Sequence, residues 1–228
     1  MIIVQSSGPG EGKSSTLYNL ASVMAFSGLK ILVIDSDLHR PVQHKLMEAK
    51  RTPGLIDVLL GDKKPKSVIQ HTKNPNLDII PAGHSAHFNL SVIHVNLLIK
   101  ILGELGSKYD KIFLDSPPII GISDASILAS VSDGVIIVIQ HKRTTTSMSL
   151  RAQQILQNGE GKIYGVILNQ VPAVGDEDYN YYTNNYSYYS SGDRQKESSS
   201  PFNTDNVVEN EIESFEIEES DKKKFSSS

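Results

Sequence analysis

The stretch SSGPGEGKSST, residues 6–16, places a lysine and several hydroxyl side chains among glycines. Small residues in such a loop let backbone N–H groups approach phosphate oxygens, and the N-terminus of a following helix adds partial positive charge. Lys13 would reach the β- and γ-phosphates of a nucleotide, and the Ser14 hydroxyl would help to hold Mg²⁺. The strict pattern has glycine six residues before the lysine, where this chain has Ser7. The predicted nucleotide contacts in the loop are Gly8, Pro9, Gly10, Glu11, Gly12, Lys13, Ser14 and Ser15.

Three aspartates that follow apolar runs extend the same chemistry. Asp35 and Asp37 end the run ILVIDSD, and Asp115 ends IFLD. A single aspartate at a strand end is as often a helix N-cap, but parallel strands share one carboxyl edge, where ligands bind. Together with the loop, the aspartates predict phosphoryl transfer, in which carboxylates hold the waters of Mg²⁺ and one carboxylate takes a proton from an incoming hydroxyl. The predicted catalytic residues are Lys13, Asp35, Asp37 and Asp115, and the predicted metal-shell residues are Ser14, Asp35 and Asp115.

Alternating strands and helices must position these residues. Near-continuous runs of Val, Ile and Leu are typical of strands buried on both faces of a parallel sheet. Such runs occupy residues 2–6, 30–37, 77–82, 111–117, 134–140 and 164–171. Helices are predicted between them, near residues 13–28, 40–48, 91–106, 123–132 and 146–158. The alternation predicts an α/β domain over residues 1–172 with a doubly wound, mostly parallel sheet.

Composition limits the classes of function. The chain has 228 residues and no cysteine, which excludes a disulfide framework and any thiolate metal site. No apolar run approaches the roughly 18–20 residues that span a bilayer, and the opening MIIVQSS does not resemble a signal peptide, so a cytoplasmic, soluble protein is expected. The net charge of −4 divides into +4 for residues 1–172 and −8 for residues 173–228. The basic excess is modest and dispersed, which argues against nucleic-acid binding.

The chain changes character after Pro172. Six of its nine tyrosines crowd into residues 179–189 among Asn, Ser and Thr, with neither a helical nor a strand period. Residues 173–191 are therefore predicted to be a tyrosine cluster, in a flexible C-terminal tail, with a role other than packing. Residues 192–228 begin with a linker-like composition and are predicted to be a disordered acidic tail.

The combined motifs resemble those of the bacterial tyrosine kinases (BY-kinases), which are P-loop NTPases of Rossmann-like fold. The matching segments are PGEGKSS, VIDSDLHRP, PGLIDVLLG, FLDSPP, SDA and GVILNQV, together with the tyrosine cluster. The resemblance covers roughly residues 1–190. It implies a tyrosine autokinase that uses ATP and Mg²⁺ and regulates the synthesis and export of exopolysaccharide or capsule. The implied phosphoacceptors are Tyr179, Tyr181, Tyr182, Tyr186, Tyr188 and Tyr189.

The resemblance also implies roles for five residues outside the loop. Asp35 would act as the base or orient Mg²⁺, Asp37 would support it, and Asp115 would hold the metal shell. Arg40 matches a basic position near the site of the family and is a predicted nucleotide contact. Asn169 resembles an asparagine that contacts adenine in related ATPases.

Partners are implied by the same resemblance. The family builds rings of subunits through an N-terminal helix with a Glu-x-x-Arg-x-x-Arg motif, whereas this sequence opens on the first strand, which predicts a fragment of a longer protein or impaired self-association. A homo-oligomer is implied for the full-length form, together with a cognate tyrosine phosphatase. The implied location is the inner face of the membrane. That link would come from a membrane activator or co-polymerase protein, or from an N-terminal membrane part of the same chain.

Two other interpretations remain open. A partitioning- or division-site-type ATPase would act as a nucleotide switch without kinase activity. Such proteins carry a lysine five residues before the loop lysine, where this chain has Gly8, and they lack a tyrosine cluster. The second is a pseudo-kinase module that serves as a regulatory substrate of a co-polymerase. An iron–sulfur carrier ATPase is excluded because the chain has no cysteine.

Overall fold

A seven-stranded sheet forms the centre of the computed structural model, which describes residues 1–84 and 92–172. The strands are β1 Ile2–Ser6, β2 Ile31–Asp35, β3 Gln70–His71, β4 Leu77–Ile80, β5 Lys111–Asp115, β6 Gly134–Gln140 and β7 Ile163–Asn169. Their order across the sheet is β3-β4-β2-β5-β1-β6-β7. Every neighbouring pair is parallel except β3 with β4. The predicted doubly wound, mostly parallel sheet is confirmed.

Helices cover the sheet. They are α1 Lys13–Phe26, α2 Gln43–Leu46, α3 Leu55–Leu59, α4 Val92–Gly106, α5 Ser123–Ser130 and α6 Thr146–Asn158, with a 3₁₀ turn at Pro65–Ser67. The helix predicted over residues 40–48 is only four residues long. It begins where the Asp35 carboxylate accepts the first backbone N–H groups, and it ends before Glu48, whose φ of 53° is not helical. The prediction missed α3 and β3 because five and two residues are too few to show a period.

The two faces of the sheet bury separate cores. On one face α1 packs Leu17, Ala21 and Ala25 against β2 and β5. On the other face α4, α5 and α6 bury Leu98, Leu128 and Leu156. The strands β1, β2 and β5 at the centre are therefore enclosed on both sides, and their carboxyl ends are held in fixed positions. These are the strand ends that carry the phosphate-loop sequence and the three predicted aspartates.

The strand β7 lies at one edge of the sheet and, within the part of the chain that the structure describes, pairs only with β6. Its side chains Tyr164, Val166 and Leu168 alternate along one face and are 50%, 57% and 51% exposed. The strand is thus much less protected than the buried central strands.

Met1–Pro172 forms one compact unit. The predicted tyrosine cluster and acidic tail lie outside the described residues. Within residues 1–84 and 92–172, no helix has the length and apolar character needed to cross a bilayer.

The core makes a first prediction about stability. Phe113 on β5 is fully buried beneath α1. Phe113→Ala should lower the free energy of unfolding by about 3–5 kcal/mol, because the lost apolar contacts leave a cavity that the sheet cannot close. Denaturant unfolding of the domain measures the loss. Val23→Ala, at a position that is 67% exposed, is the control and should change it by less than about 0.5 kcal/mol. Equal effects of the two variants would contradict the assignment of this core.

Candidate active site

The loop between β1 and α1 needs glycine at two positions. Gly10 and Gly12 have φ angles of 79° and 88°, in the region that favours glycine. A Cβ at Gly12 would collide with the side-chain amide of Asn169, and a Cβ at Gly10 would lie 3.1 Å from Nη1 of Arg143. Both the backbone path and the close neighbours therefore select glycine here.

Glu11 stabilises this loop through hydrogen bonds of its side chain and its backbone. The Glu11 carboxylate accepts hydrogen bonds from the backbone N–H of Gly8, at 3.0 Å, and from the hydroxyl of Thr144. The Glu11 carbonyl oxygen accepts a hydrogen bond of 3.0 Å from the Asn169 amide. The loop is thereby tied to the β6–α6 connection through Thr144 and to the end of β7 through Asn169. Glu11 is only 2% exposed, and its side chain stabilises the conformation of the loop.

A cavity of about 700 Å³ opens beside the loop. Its volume lies within the usual range for small-molecule and cofactor sites. It is lined by Ser6, Pro9, Gly10, Glu11, Gly12, Lys13, Ser14, Ser15, Asp37, His39, Arg40, Val42, Pro118, Ile120, Ile122 and Gln170. Most of the residues predicted to bind nucleotide, including Arg40, thus line one cavity. Of the predicted site residues that the structure describes, four do not line it: Gly8, Asp35, Asp115 and Asn169.

Lys13 forms the centre of a buried charge cluster at the base of the cavity. Its ammonium group forms an ion pair with Asp115 Oδ1, lies 3.8 Å from Asp37 Oδ2 and donates a hydrogen bond of 3.2 Å to Ser14 Oγ. Asp35 lies opposite Asp115 in the parallel register of β2 and β5. The strand ends thus bring the predicted catalytic residues together, as the parallel sheet required.

The two aspartates after β2 differ in their surroundings. Asp37 lines the cavity, and its Oδ1 accepts a hydrogen bond of 3.0 Å from the backbone N–H of Arg40. Asp35 is fully buried, and its Oδ2 accepts hydrogen bonds from the N–H groups of Val42, at 3.1 Å, and Gln43, at 3.0 Å. Burial, and then the charge of Asp115, raises the pKa of Asp35 to about 8. The raised pKa favours the protonated form of Asp35 at neutral pH.

Three further residues were missed in the sequence. Gln43 donates hydrogen bonds to Asp115 and to the backbone of Ser14. Thr144 holds Glu11, and Gln170 lines the cavity. These amides and this hydroxyl belong to no motif, so only the folded chain identifies the three residues. The predicted phosphoacceptor tyrosines lie outside the described residues.

The residues beside the cavity fit a nucleotide and Mg²⁺. Mg²⁺ prefers oxygen ligands and is usually held by one or two carboxylates together with substrate phosphates. The hydroxyl of Ser14 and the carboxylates of Asp37 and Asp115 surround the Lys13 ammonium and supply such oxygens. Across the described parts of the chain, no three His, Cys, Asp or Glu side chains form a metal cage of their own. A metal here would therefore depend on phosphate oxygens for part of its shell.

A glycine-rich loop between the first strand and helix, and carboxylates at the ends of adjacent parallel strands, define a P-loop NTPase. A family model described as an AAA domain matches residues 1–159. Tyrosine-protein kinase YwqD of Bacillus subtilis (strain 168) is 32% identical over 181 residues, which are 79% of this chain and 76% of that protein. The chain belongs to the bacterial tyrosine-protein kinase family, within the P-loop proteins that carry this AAA domain. The resemblance seen in the motifs is thereby confirmed.

Solved structures agree with this assignment. The kinase domain of the Escherichia coli tyrosine kinase ETK superposes with a TM-score of 0.69 and 27% identity, over 77% of this chain and 69% of that domain. The septum site-determining protein MinD from Pyrococcus horikoshii, complexed with Mg-ADP, has a TM-score of 0.62 and 25% identity, over 79% of this chain and 76% of that one. Kinases and a cell-division protein thus share this scaffold.

The raised pKa of Asp35 predicts a pH-dependent stability. An aspartate has a pKa of about 3.9 in an unfolded chain, so between about pH 4 and 8 the folded chain binds a proton that the unfolded chain has released. The contribution of this bound proton to the stability of the folded chain is fully present below about pH 4 and is lost as the pH rises through 8. The measured quantity is the difference in the free energy of unfolding between the parent chain and Asp35→Asn. Between about pH 4 and 8, this difference should fall by up to about 1.4 kcal/mol per pH unit.

Urea unfolding from pH 5 to 8.5, without nucleotide and with a chelator, measures this difference. Lys13, Asp37 and Asp115 surround Asp35 and are the same in both chains, so the difference between the chains reports the change at residue 35. Asp62→Asn, in an exposed turn, is the matched control and should give a pH-independent difference. A flat difference for Asp35→Asn would show that Asp35 is ionised in the folded chain.

Proposed function

We propose that this chain is an ATP-dependent protein-tyrosine autokinase. The observation that carries the proposal is the placement of Lys13, whose ammonium lies among Asp115, Asp37 and Ser14 at the base of the cavity. A nucleotide whose phosphates fill this space would meet a cation from the loop, together with a hydroxyl and carboxylates suited to Mg²⁺. Membership of the tyrosine-protein kinase family supports a tyrosine hydroxyl, and not water, as the acceptor.

In the proposed reaction Lys13 exchanges its contact with Asp115 for the β- and γ-phosphates. Mg²⁺, when bound, neutralises the charge that develops on the phosphates. The Ser14 hydroxyl and the carboxylate of Asp115, once released by Lys13, hold the metal shell. Asp37 accepts the proton of the tyrosine hydroxyl as the bond from that oxygen to the γ-phosphorus forms. The bond from the γ-phosphorus to the β,γ-bridging oxygen breaks, and ADP leaves.

Three predicted residues take supporting places in this proposal. Asp35 orients the start of α2, beside the metal shell, through its hydrogen bonds to Val42 and Gln43. Arg40 lines the cavity and offers a second cation near the phosphates. The contact of Asn169 with adenine stays a prediction. The Asn169 amide donates its hydrogen bond to the Glu11 carbonyl oxygen, and the residue that lines the cavity is the neighbouring Gln170.

The proposed acceptors are the six tyrosines from Tyr179 to Tyr189. Tyr179 follows Val171 by eight residues, a span of at most about 29 Å of extended chain. Each phosphate would add roughly −1.5 to −2 charges. Repulsion between phosphorylated tails would then separate the subunits of a homo-oligomer, and a cognate tyrosine phosphatase would reverse the change.

We further propose a cytoplasmic location at the inner face of the membrane. A membrane activator or co-polymerase protein, or a membrane part of the same chain, would hold the kinase there and couple it to exopolysaccharide or capsule synthesis. The support is the motif resemblance and the kinase family.

The second candidate is a nucleotide-driven switch without kinase activity. It is favoured by the structural likeness to MinD from Pyrococcus horikoshii, with a TM-score of 0.62. Gly8 stands against it, because a switch of this class carries a lysine at that position.

Mass spectrometry after incubation with Mg·ATP distinguishes the two candidates. The full chain should gain phosphate on residues 179–189, and Lys13→Met should reduce this by at least about 100-fold, because the loop loses the cation that binds the transferred phosphate. ADP release should fall in parallel. Lys63→Met, at an exposed lysine, is the matched control and should retain phosphorylation. ATP hydrolysis without any phosphotyrosine, even with an activator fragment or an added N-terminal helix, would favour the switch and contradict the kinase.

A further inference from the structure

Gln43 joins three parts of the site through one fully buried residue. Its side-chain amide nitrogen donates hydrogen bonds to Asp115 Oδ2, at 2.8 Å, and to the carbonyl oxygen of Ser14, at 3.0 Å. Its backbone N–H donates to Asp35 Oδ2 at 3.0 Å. Both hydrogens of the amide are therefore used, one on the first turn of α1 and one on the end of β5. No motif in the sequence pointed to this residue.

The two side-chain contacts of Gln43 fall on the two residues that the proposed function places around Mg²⁺. Ser14 supplies the hydroxyl and Asp115 the carboxylate. They lie on different elements, α1 and β5, so their relative position depends on what connects these elements. Besides the apolar packing of α1 on β5, two polar contacts join these elements among the described residues, the Lys13 ion pair on Asp115 Oδ1 and the Gln43 bridge from Ser14 to Asp115 Oδ2.

The first of these polar contacts is lost when a nucleotide binds, because Lys13 then turns to the phosphates. Asp115 Oδ1 is released to the metal shell, and Gln43 remains as the fixed partner of Asp115 Oδ2. We propose, on the basis of the proposed function, that Gln43 is a positioning residue. It holds Asp115 at a set distance from Ser14 and thereby sets the affinity for Mg²⁺ in the nucleotide complex.

Gln5 provides a matched comparison inside the same domain. Like Gln43, it is fully buried, and its side-chain oxygen also has no hydrogen-bond partner among the described residues. Its amide nitrogen donates to the backbone oxygen of Ala125, at 2.6 Å, and contacts no site residue. A general loss of packing or of one buried hydrogen bond should therefore affect Gln5→Met and Gln43→Met alike. An effect through Ser14 and Asp115 should affect only Gln43→Met.

The test measures the binding of a fluorescent ADP analogue with chelator and over a series of Mg²⁺ concentrations. Gln43→Met should shift the Mg²⁺ midpoint roughly 10–100-fold upward, as losses of residues that orient metal ligands do. Its affinity for the analogue without metal should stay within about twofold, because Lys13 and the loop are unchanged. Gln5→Met should leave the Mg²⁺ midpoint unchanged. An unshifted midpoint in Gln43→Met, or an equal loss with and without metal, would overturn the inference.

A double-mutant cycle tests whether Gln43 affects the Mg²⁺ midpoint through Asp115. If Gln43 acts through Asp115, Gln43→Met should add little to the midpoint shift of Asp115→Asn, whereas independent effects would add. Additive shifts would overturn the inference. Should Gln43→Met not fold, Gln43→Asn keeps an amide of the same polarity but is one methylene too short, and the same shift is expected. A parent chain that binds the analogue with no Mg²⁺ dependence would overturn the proposed function itself, and the inference with it.

Discussion

The buried ion pair between Lys13 and Asp115 is the interaction on which the rest of the site depends. It joins the first residue of α1 to the last residue of β5, and both side chains are almost wholly enclosed. Two charges removed from water lose their hydration, which only close partners offset. Asp35 and Asp37 lie nearby, and the raised pKa of Asp35 limits the negative charge that this cluster must hold. The loop lysine is thus paired with an internal anion, with which a bound phosphate would have to compete.

The sequence was sufficient for the parts of the site that follow from strand direction. The glycine-rich loop and the aspartates Asp35 and Asp115 end adjacent parallel strands, so any doubly wound sheet brings them to one edge. The difference between Asp35 and Asp37 was not predictable, because it depends on how the chain turns between β2 and α2. That turn buries one carboxylate beneath two backbone N–H groups and leaves the other facing the cavity. Gln43 and Thr144 were not predicted either, because the residues that they contact, Asp115 and Glu11, are distant from them in the chain.

The same scaffold supports more than one outcome of nucleotide binding. Proteins named as tyrosine kinases and proteins named MinD share this sheet and loop with the chain at similar TM-scores. The central sheet therefore specifies where the loop and the carboxylates lie but not which group would receive a phosphoryl. Under the proposed function, that choice would depend on residues that line the cavity, such as Arg40 and Gln170, and on the hydroxyl that approaches Asp37.

The position of Asn169 at the end of an edge strand has a dynamic consequence. Its amide holds the loop at Glu11, and among the described residues β7 pairs with β6 alone and exposes an apolar face, so it opens locally at a lower free energy than the enclosed central strands. Each opening of the end of β7 releases the Glu11 carbonyl oxygen and removes one restraint on the loop. The rigidity of the nucleotide loop is therefore coupled to an edge strand of the sheet, and whatever stiffens β7 stiffens the loop without touching the ligand.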